Sequence, residues 1–157
     1  MFRTLFIILL ASVSVACSTQ PQKQRLPSMD SLFAELTEQD GRACIRSSSA
    51  NGFSAIDDNL VSISGHRKKH YLVTTLFSCH SLDFSMGVAL VGTFSEVCGG
   101  RAGDALVTRE ESCQIKHIYA FESRDDAMSV VKMAEGKREA LRQFPAAPQP
   151  EPEPPES

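Results

Sequence analysis

Between residues 52 and 121 apolar and polar side chains alternate in short runs, the period-two pattern of strands that turn one face to a core. Residues 52–56 alternate into Asp57-Asp58-Asn59, a trio whose side chains can accept bonds from nearby backbone amides and so suits a tight turn. Residues 60–63 leave that turn as a second strand, which makes a hairpin. Residues 71–76 form a third strand after a connection from Gly65 to His70. Residues 84–91, 104–108 and 113–121 complete a set of six. Short strands joined by turns predict a mainly β fold, either a small six-stranded barrel or a folded-over antiparallel sheet.

On either side the apolar spacing changes to three and four. Leu32, Phe33 and Leu36 share one side of a helix over 28–36, with Ser28 or Asp30 as its cap. Ser123-Arg124-Asp125-Asp126 is a capping arrangement. Val130, Val131, Ala134 and Leu141 follow it on a helix that runs from 127 to 144. Gly136 costs that helix about 1 kcal/mol relative to Ala, which predicts fraying beyond it.

The two ends lack such patterns. Residues 1–16 begin with the Met1 amine and Arg3, continue through an apolar run over 5–10 and finish on small residues, which is the order of a secretory signal peptide. The run is too short for a bilayer core, which needs about 20 residues. Ser14-Val15-Ala16-Cys17 suits an ordinary signal peptidase. It also resembles a lipobox, in which Cys17 is acylated and becomes the new N-terminus, although Ser14 stands where Leu is usual. Residues 17–27 then read as a polar tether, 28–121 as the β domain, 122–143 as the C-terminal helix and 144–157 as a Pro-rich, acidic, disordered tail. Ser18 after Cys17 points to sorting toward the outer membrane.

Cysteine arithmetic supports the acylated reading. Of Cys17, Cys44, Cys79, Cys98 and Cys113, one is left over in an oxidising compartment, and lipid on Cys17 leaves four for two bridges. Four cysteines permit three connectivities. Cys44 and Cys113 open the first and last strands while Cys79 and Cys98 flank the fourth, so the expected bridges are Cys44 with Cys113 and Cys79 with Cys98. No Cys-x-x-Cys pair suggests a redox or zinc motif.

The net charge of −3 and the scattered basic residues exclude an electrostatic footprint for nucleic acid. His66 and His70 are four apart but fall in a connection. With His80 and His117 they read as solvent-facing turn histidines, and no metal ligand set is assigned. Asp57, Asp58, Asp83, Asp104, Glu110 and Glu111 show no spacing that forces an acid–base pair. There is no nucleophile elbow, P-loop or dinucleotide fingerprint, so no catalytic residue and no cofactor is assigned. Gly99, Gly100 and Gly103 read as turn glycines.

Cys44-Ile45, Gly52-Phe53, Ile56-Asp57-Asp58, Tyr71-Leu72-Val73, Cys79-x-x-Leu82, Val97-Cys98, Gly103-Asp104 and Cys113-x-Ile115 occur in an ordered string. Over residues 40–121 the chain resembles the domain of unknown function numbered 6491, a family of small exported proteobacterial proteins. The resemblance implies an envelope location and no assigned activity. The functional expectation is a non-catalytic binding or structural module, held to the membrane by lipid in the periplasm, whose partner is a protein, a cell-wall component or a small ligand. The alternative is a small periplasmic hydrolase or metal-binding protein built from Asp57, Asp58, Asp104 and the histidines. A deep pocket where those polar groups converge would favour the second, and an exposed apolar patch the first.

Overall fold

The computed structural model describes residues 26–144. Cys17, the export segment and nearly all of the expected tether and tail lie outside the described residues. Within them the chain forms α1 (Met29–Thr37), β1 (Cys44–Arg46), β2 (Gly52–Asp57), β3 (Leu60–Ser64), β4 (His70–Thr75), β5 (Ala89–Val91), β6 (Glu96–Cys98), β7 (Ala105–Val107), β8 (Ser112–Phe121) and α2 (Arg124–Gln143). The main sheet is antiparallel in the order β2-β3-β4-β8-β7-β5 and curls into a half-barrel. Its six strands are the six that the alternation predicts.

Each helix begins where its cap predicts. The Ser28 side chain accepts from the Ser31 amide and the Ser123 side chain from the Asp126 amide, so each satisfies one amide that has no partner within its helix. Met29, Leu32 and Phe33 of α1, with Ala127, Val130, Val131 and Ala134 of α2, pack on Leu60, Leu72, Tyr119 and Phe121 of the sheet. The Tyr119 ring meets Phe33 edge-on at 5.6 Å, and its hydroxyl donates to the Asp30 carbonyl at 2.8 Å. Burial, then the nearby charges of Asp30 and Asp40, push the Tyr119 phenol up to about 12, so it stays a donor. Lys116 Nζ donates to Asp30 Oδ2 at 2.6 Å. Burial is the largest influence on Asp30 and opposes its charge, but the Lys116 and Ser28 bonds and the Lys116 charge together outweigh it and hold the carboxyl below its ordinary value. Beyond Gly136 the helix does not fray but continues to Gln143, and Lys137, directly after the glycine, reaches Glu35 Oε1 of α1 with its Nζ at 2.6 Å.

The opposite face of the sheet builds a second core. Cys113 and Ile115 point into it, the register with β4 then slips at Lys116, and Ile118 points the same way although it is three residues from Ile115. The bulge reverses the alternation, so Tyr119 and Phe121 turn to the helices. Into this second core come Ile45 and Val97, both without exposure.

They belong to the pair that periodicity misses. β1 and β6 form a separate two-stranded antiparallel sheet in which Cys44 opposes Cys98, Ile45 opposes Val97 and Arg46 opposes Glu96. Three residues are too few to display a period. The mirrored order Cys-Ile-Arg and Glu-Val-Cys is the signal they carry, because antiparallel pairing sets like against like at the first two positions and opposite charges at the third.

This pair corrects the expected disulfides. The bridges are Cys44–Cys98, with Cα atoms 4.1 Å apart, and Cys79–Cys113, at 5.9 Å. Cys113 cannot serve Cys44 because β8 lies beside β4, and the chain leaving β4 delivers Cys79 to it. They close sequence separations of 54 and 34 residues, each a constraint on the unfolded chain that typically contributes about 2–4 kcal/mol. The expected strand over 84–91 is also shorter than predicted. His80–Phe84 is a 3₁₀ turn, closed where Ser85 Oγ donates to the Ser81 carbonyl at 2.6 Å, and only Ala89–Val91 pairs with β7.

Two glycines after Cys98 do take left-handed backbone, Gly100 at φ 73° and Gly103 at φ 89°. Gly99 has a different reason. Its amide donates to the Ala43 carbonyl at 3.0 Å while Ile118 donates to Gly41 at 2.8 Å, and a Cβ on Gly99 would collide with the Gly41 carbonyl and lie 2.6 Å from the Ile118 nitrogen. Backbone surrounds the position, so nothing soft can move. We predict that Gly99→Ala lowers unfolding free energy by about 3 kcal/mol, the scale of an overpacked core site. Gly52→Ala, with open space around its Cβ, changes it far less. Chemical denaturation of both variants checks the difference, and equal effects would refute the close approach.

Candidate docking surface

The chain between β4 and β5 is short of charge. From Leu76 to Ser95 only Asp83 is formally charged, in a protein with 22% charged residues overall. Composition of that kind suits a core strand, but the structure leaves several of its large apolar side chains exposed.

Residues 76–87 are held by bonds to both neighbouring hairpins. Leu76 donates to the Gln114 carbonyl at 2.9 Å and Cys79 to the Asp58 carbonyl at 2.7 Å. The Ser81 amide donates to Glu111 Oε2 at 3.2 Å, and its hydroxyl meets Thr108 Oγ1 at 2.9 Å. The Cys79–Cys113 bridge fastens the same loop to the start of β8. Cys79 and Leu82 are buried beneath it.

Its remaining large apolar side chains face water. Phe77 is 76% exposed, Phe84 87% and Met86 94%, and Leu76 is about half exposed. An exposed Leu alone means little, but four large apolar side chains on one firmly held loop are unusual for a surface. Phe84 and Met86 line an open cleft of about 370 Å³ with Ser81, Arg109 and Glu110, the last two exposed at the turn between β7 and β8. Chemically this is a place for apolar contact with one cation and one anion at its rim. The sequence reading does not single out Leu76, Phe77, Phe84 and Met86 as exposed candidates, since it counts Leu76, Phe84 and Met86 as strand. The low charge of the segment is the signal that could have found them.

Of the groups named for an enzyme, His80 of this loop and Asp58 come together, while His66, His70, His117 and Asp104 lie apart from them. His66 is exposed in the turn His66–Lys68. His80 is exposed, with Nδ1 3.7 Å from Asp58 Oδ2. His117 is half-buried on β8, where Nδ1 is 3.3 Å from Asp30 Oδ2. His70 corrects the reading of turn histidines: it opens β4, is 3% exposed, and its Nε2 shares a 2.5 Å hydrogen bond with the buried Ser62 hydroxyl. The pair lies on the sheet face that Leu60 and Leu72 turn to the helices.

The carboxylates are similarly dispersed. Asp57 Oδ1 accepts from the Asp58 amide at 2.8 Å, as its place in the turn predicts, and Asp83 is exposed. Asp104 has no exposure; its Oδ2 accepts from the Cys98 amide at 2.7 Å and lies 3.8 Å from Arg101 Nη1. It ties β6 to the start of β7. Three potential metal-ligand atoms meet in two places among the described residues, Cys44–Glu96–Cys98 and Cys79–Glu111–Cys113. In both the sulfurs are bonded to each other, so neither offers a thiolate.

The chain matches a family model described as a family of unknown function, DUF6491, over residues 1–139. The chain belongs to the DUF6491 family. The match includes both helix starts, all eight strands and both bridges, and runs through all but the end of α2. No curated protein and no solved structure matches the chain. The DUF6491 fold is therefore described from its own geometry. Among its described residues no helix is long and apolar enough to cross a membrane.

His70 generates a pH prediction. Burial, then the neighbouring Arg124 charge, lowers its pKa below the ordinary 6.5, so the folded state holds it neutral while the unfolded chain protonates first. The stability it contributes is complete above pH 6.5 and is lost as pH falls below that value toward the folded pKa. Denaturation midpoints should drop between pH 7 and 5.5 in the native protein, and the drop should shrink in His70→Asn. An unchanged pH slope in that variant would show that His70 is not the titrating group.

Proposed function

We propose that this protein is a lipid-anchored lipoprotein of the bacterial cell envelope whose β domain acts as a non-catalytic binding module. The observation that carries the binding half is the loop over 76–87, whose large apolar side chains are exposed although the loop itself is bonded and bridged in place. A rigid support that presents apolar groups suits recognition, since little order remains to be lost on contact. His80 and Asp58 meet at an exposed 3.7 Å contact, but His70, His117 and Asp104 hold separate partners elsewhere, which supports this reading over a hydrolase or a metal site.

The anchored half is supported by the pairing of the cysteines. Cys44, Cys98, Cys79 and Cys113 bridge one another, which leaves Cys17 as the odd thiol at the end of a signal-like segment. Acylation there explains why a secreted chain with a complete bridge set carries a fifth cysteine. Ser18 next to it favours delivery to the outer membrane, with the domain on the periplasmic side.

Metabolic labelling with a clickable fatty-acid analogue in the bacterial host tests the anchor. The native chain should take up label and partition with membranes, and Cys17→Ala should lose both. Absence of label on the native chain would overturn the anchored reading.

A further inference from the structure

We infer that the loop over 76–87 docks on the surface of a lipid bilayer, so that the domain lies against the membrane that holds it. The inference rests on the lipid-anchored reading of Cys17 and names the partner of the surface described above.

Three observations favour a bilayer as the occupant. The first is the form of the apolar groups. Phe77, Phe84 and Met86 are largely exposed on one loop, and the cleft that the last two line is open to solvent. Protruding aromatic and methionine side chains can enter the headgroup region without a complementary pocket, which suits a fluid interface.

The second is charge. Asp83 is the one formal charge over residues 76–95, so this edge brings little charge of its own to the bilayer, and Arg109 beside Phe84 and Met86 can meet a lipid phosphate. Glu110 accompanies it at the same rim. Elsewhere the exposed side of α2 carries Lys132, Glu135, Lys137, Glu139 and Arg142, which favours water.

The third is reach. Asp30 at the start of α1 is bonded to Lys116 on β8. Four residues of strand separate Lys116 from Ser112 at the loop end of the sheet, about 14 Å at strand rise. From Cys17 to Ser28 the chain can extend to about 38 Å. An acyl chain on Cys17 and the loop can therefore occupy one bilayer surface together. Once the lipid is inserted the loop meets that surface at high effective concentration, and modest apolar contact is enough to orient the domain.

The protein contains no tryptophan, so one introduced residue reports its own surroundings. Phe84→Trp and, as a control on α2, Met133→Trp are made in the full chain. Each is purified from membranes and reconstituted into phosphatidylethanolamine–phosphatidylglycerol vesicles with and without brominated acyl chains. The tryptophan at position 84 should shift to the blue and lose about half its emission or more to bromine, as an interfacial group does, while the one at 133 is unaffected. Adding Met86→Asp to Phe84→Trp should reduce the quenching.

Flotation of the same samples separates the two readings. Vesicle-bound chain whose position 84 remains unquenched overturns the membrane-facing loop and leaves the anchor standing. Failure of the chain to float, with no lipid found on Cys17, overturns the anchor. The loop is then tested on that chain with excess vesicles, where quenching at position 84 sustains it and none refutes it. An unquenched position 84 that crosslinks in the cell to an envelope protein assigns the surface to a protein partner and refutes the bilayer.

Discussion

Ile45 and Val97 face each other across a sheet only three residues long, and the half-barrel depends on keeping that pair in place. The six-stranded sheet curls but does not close, so its inner face would be open to water on one side. β1 and β6 cover that side, and every device around them keeps two very short strands together. Cys44 and Cys98 are bridged at one end of the pair. The buried Asp104 carboxylate accepts the Cys98 amide, a charge-assisted bond that a three-residue ladder could not supply by itself. Gly99 lets the chain after β6 pass against Gly41 and Ile118 at a separation no other residue permits. A domain of this size buries too little area to leave such a flap to apolar contact alone.

The second bridge does for the surface what the first does for the core. Cys79–Cys113 joins the chain after β4 to the start of β8, and the residues between β4 and β5 are thereby fixed without forming a strand of useful length. Holding the loop with polar bonds and one bridge frees its phenylalanines and Met86 from packing duty. They remain outside, exposed to solvent. Fold and proposed function thus meet at one constraint, because the same oxidised cysteines that permit a small core also permit an apolar loop to stand exposed.

Much of this was legible in the sequence, and the failures share a cause. The main sheet was visible because strands such as β3 and β8 are long enough to alternate, and both helices because Ser28 and Ser123 cap apolar spacings of three and four. β1 and β6 were invisible to any period, and the disulfide pairing went wrong with them, since Cys44 was matched to Cys113 although it opposes Cys98 of β6. His70 was assigned to a connection because a polar residue at a buried strand position breaks the alternation that identifies strands. Its Ser62 partner, eight residues earlier, is recognisable only once β3 and β4 are aligned. The exposed loop was lost because an apolar run looks the same whether it lies in a core or faces solvent.

Peptide mapping of the oxidised protein under non-reducing conditions tests the account most directly, because each bridge defines one of its two parts. The expected fragments join Cys44 to Cys98 and Cys79 to Cys113, which fixes the closing pair over the half-barrel and the loop on the β7–β8 hairpin. Fragments joining Cys44 to Cys113, or four free thiols in protein exported under oxidising conditions, would contradict both.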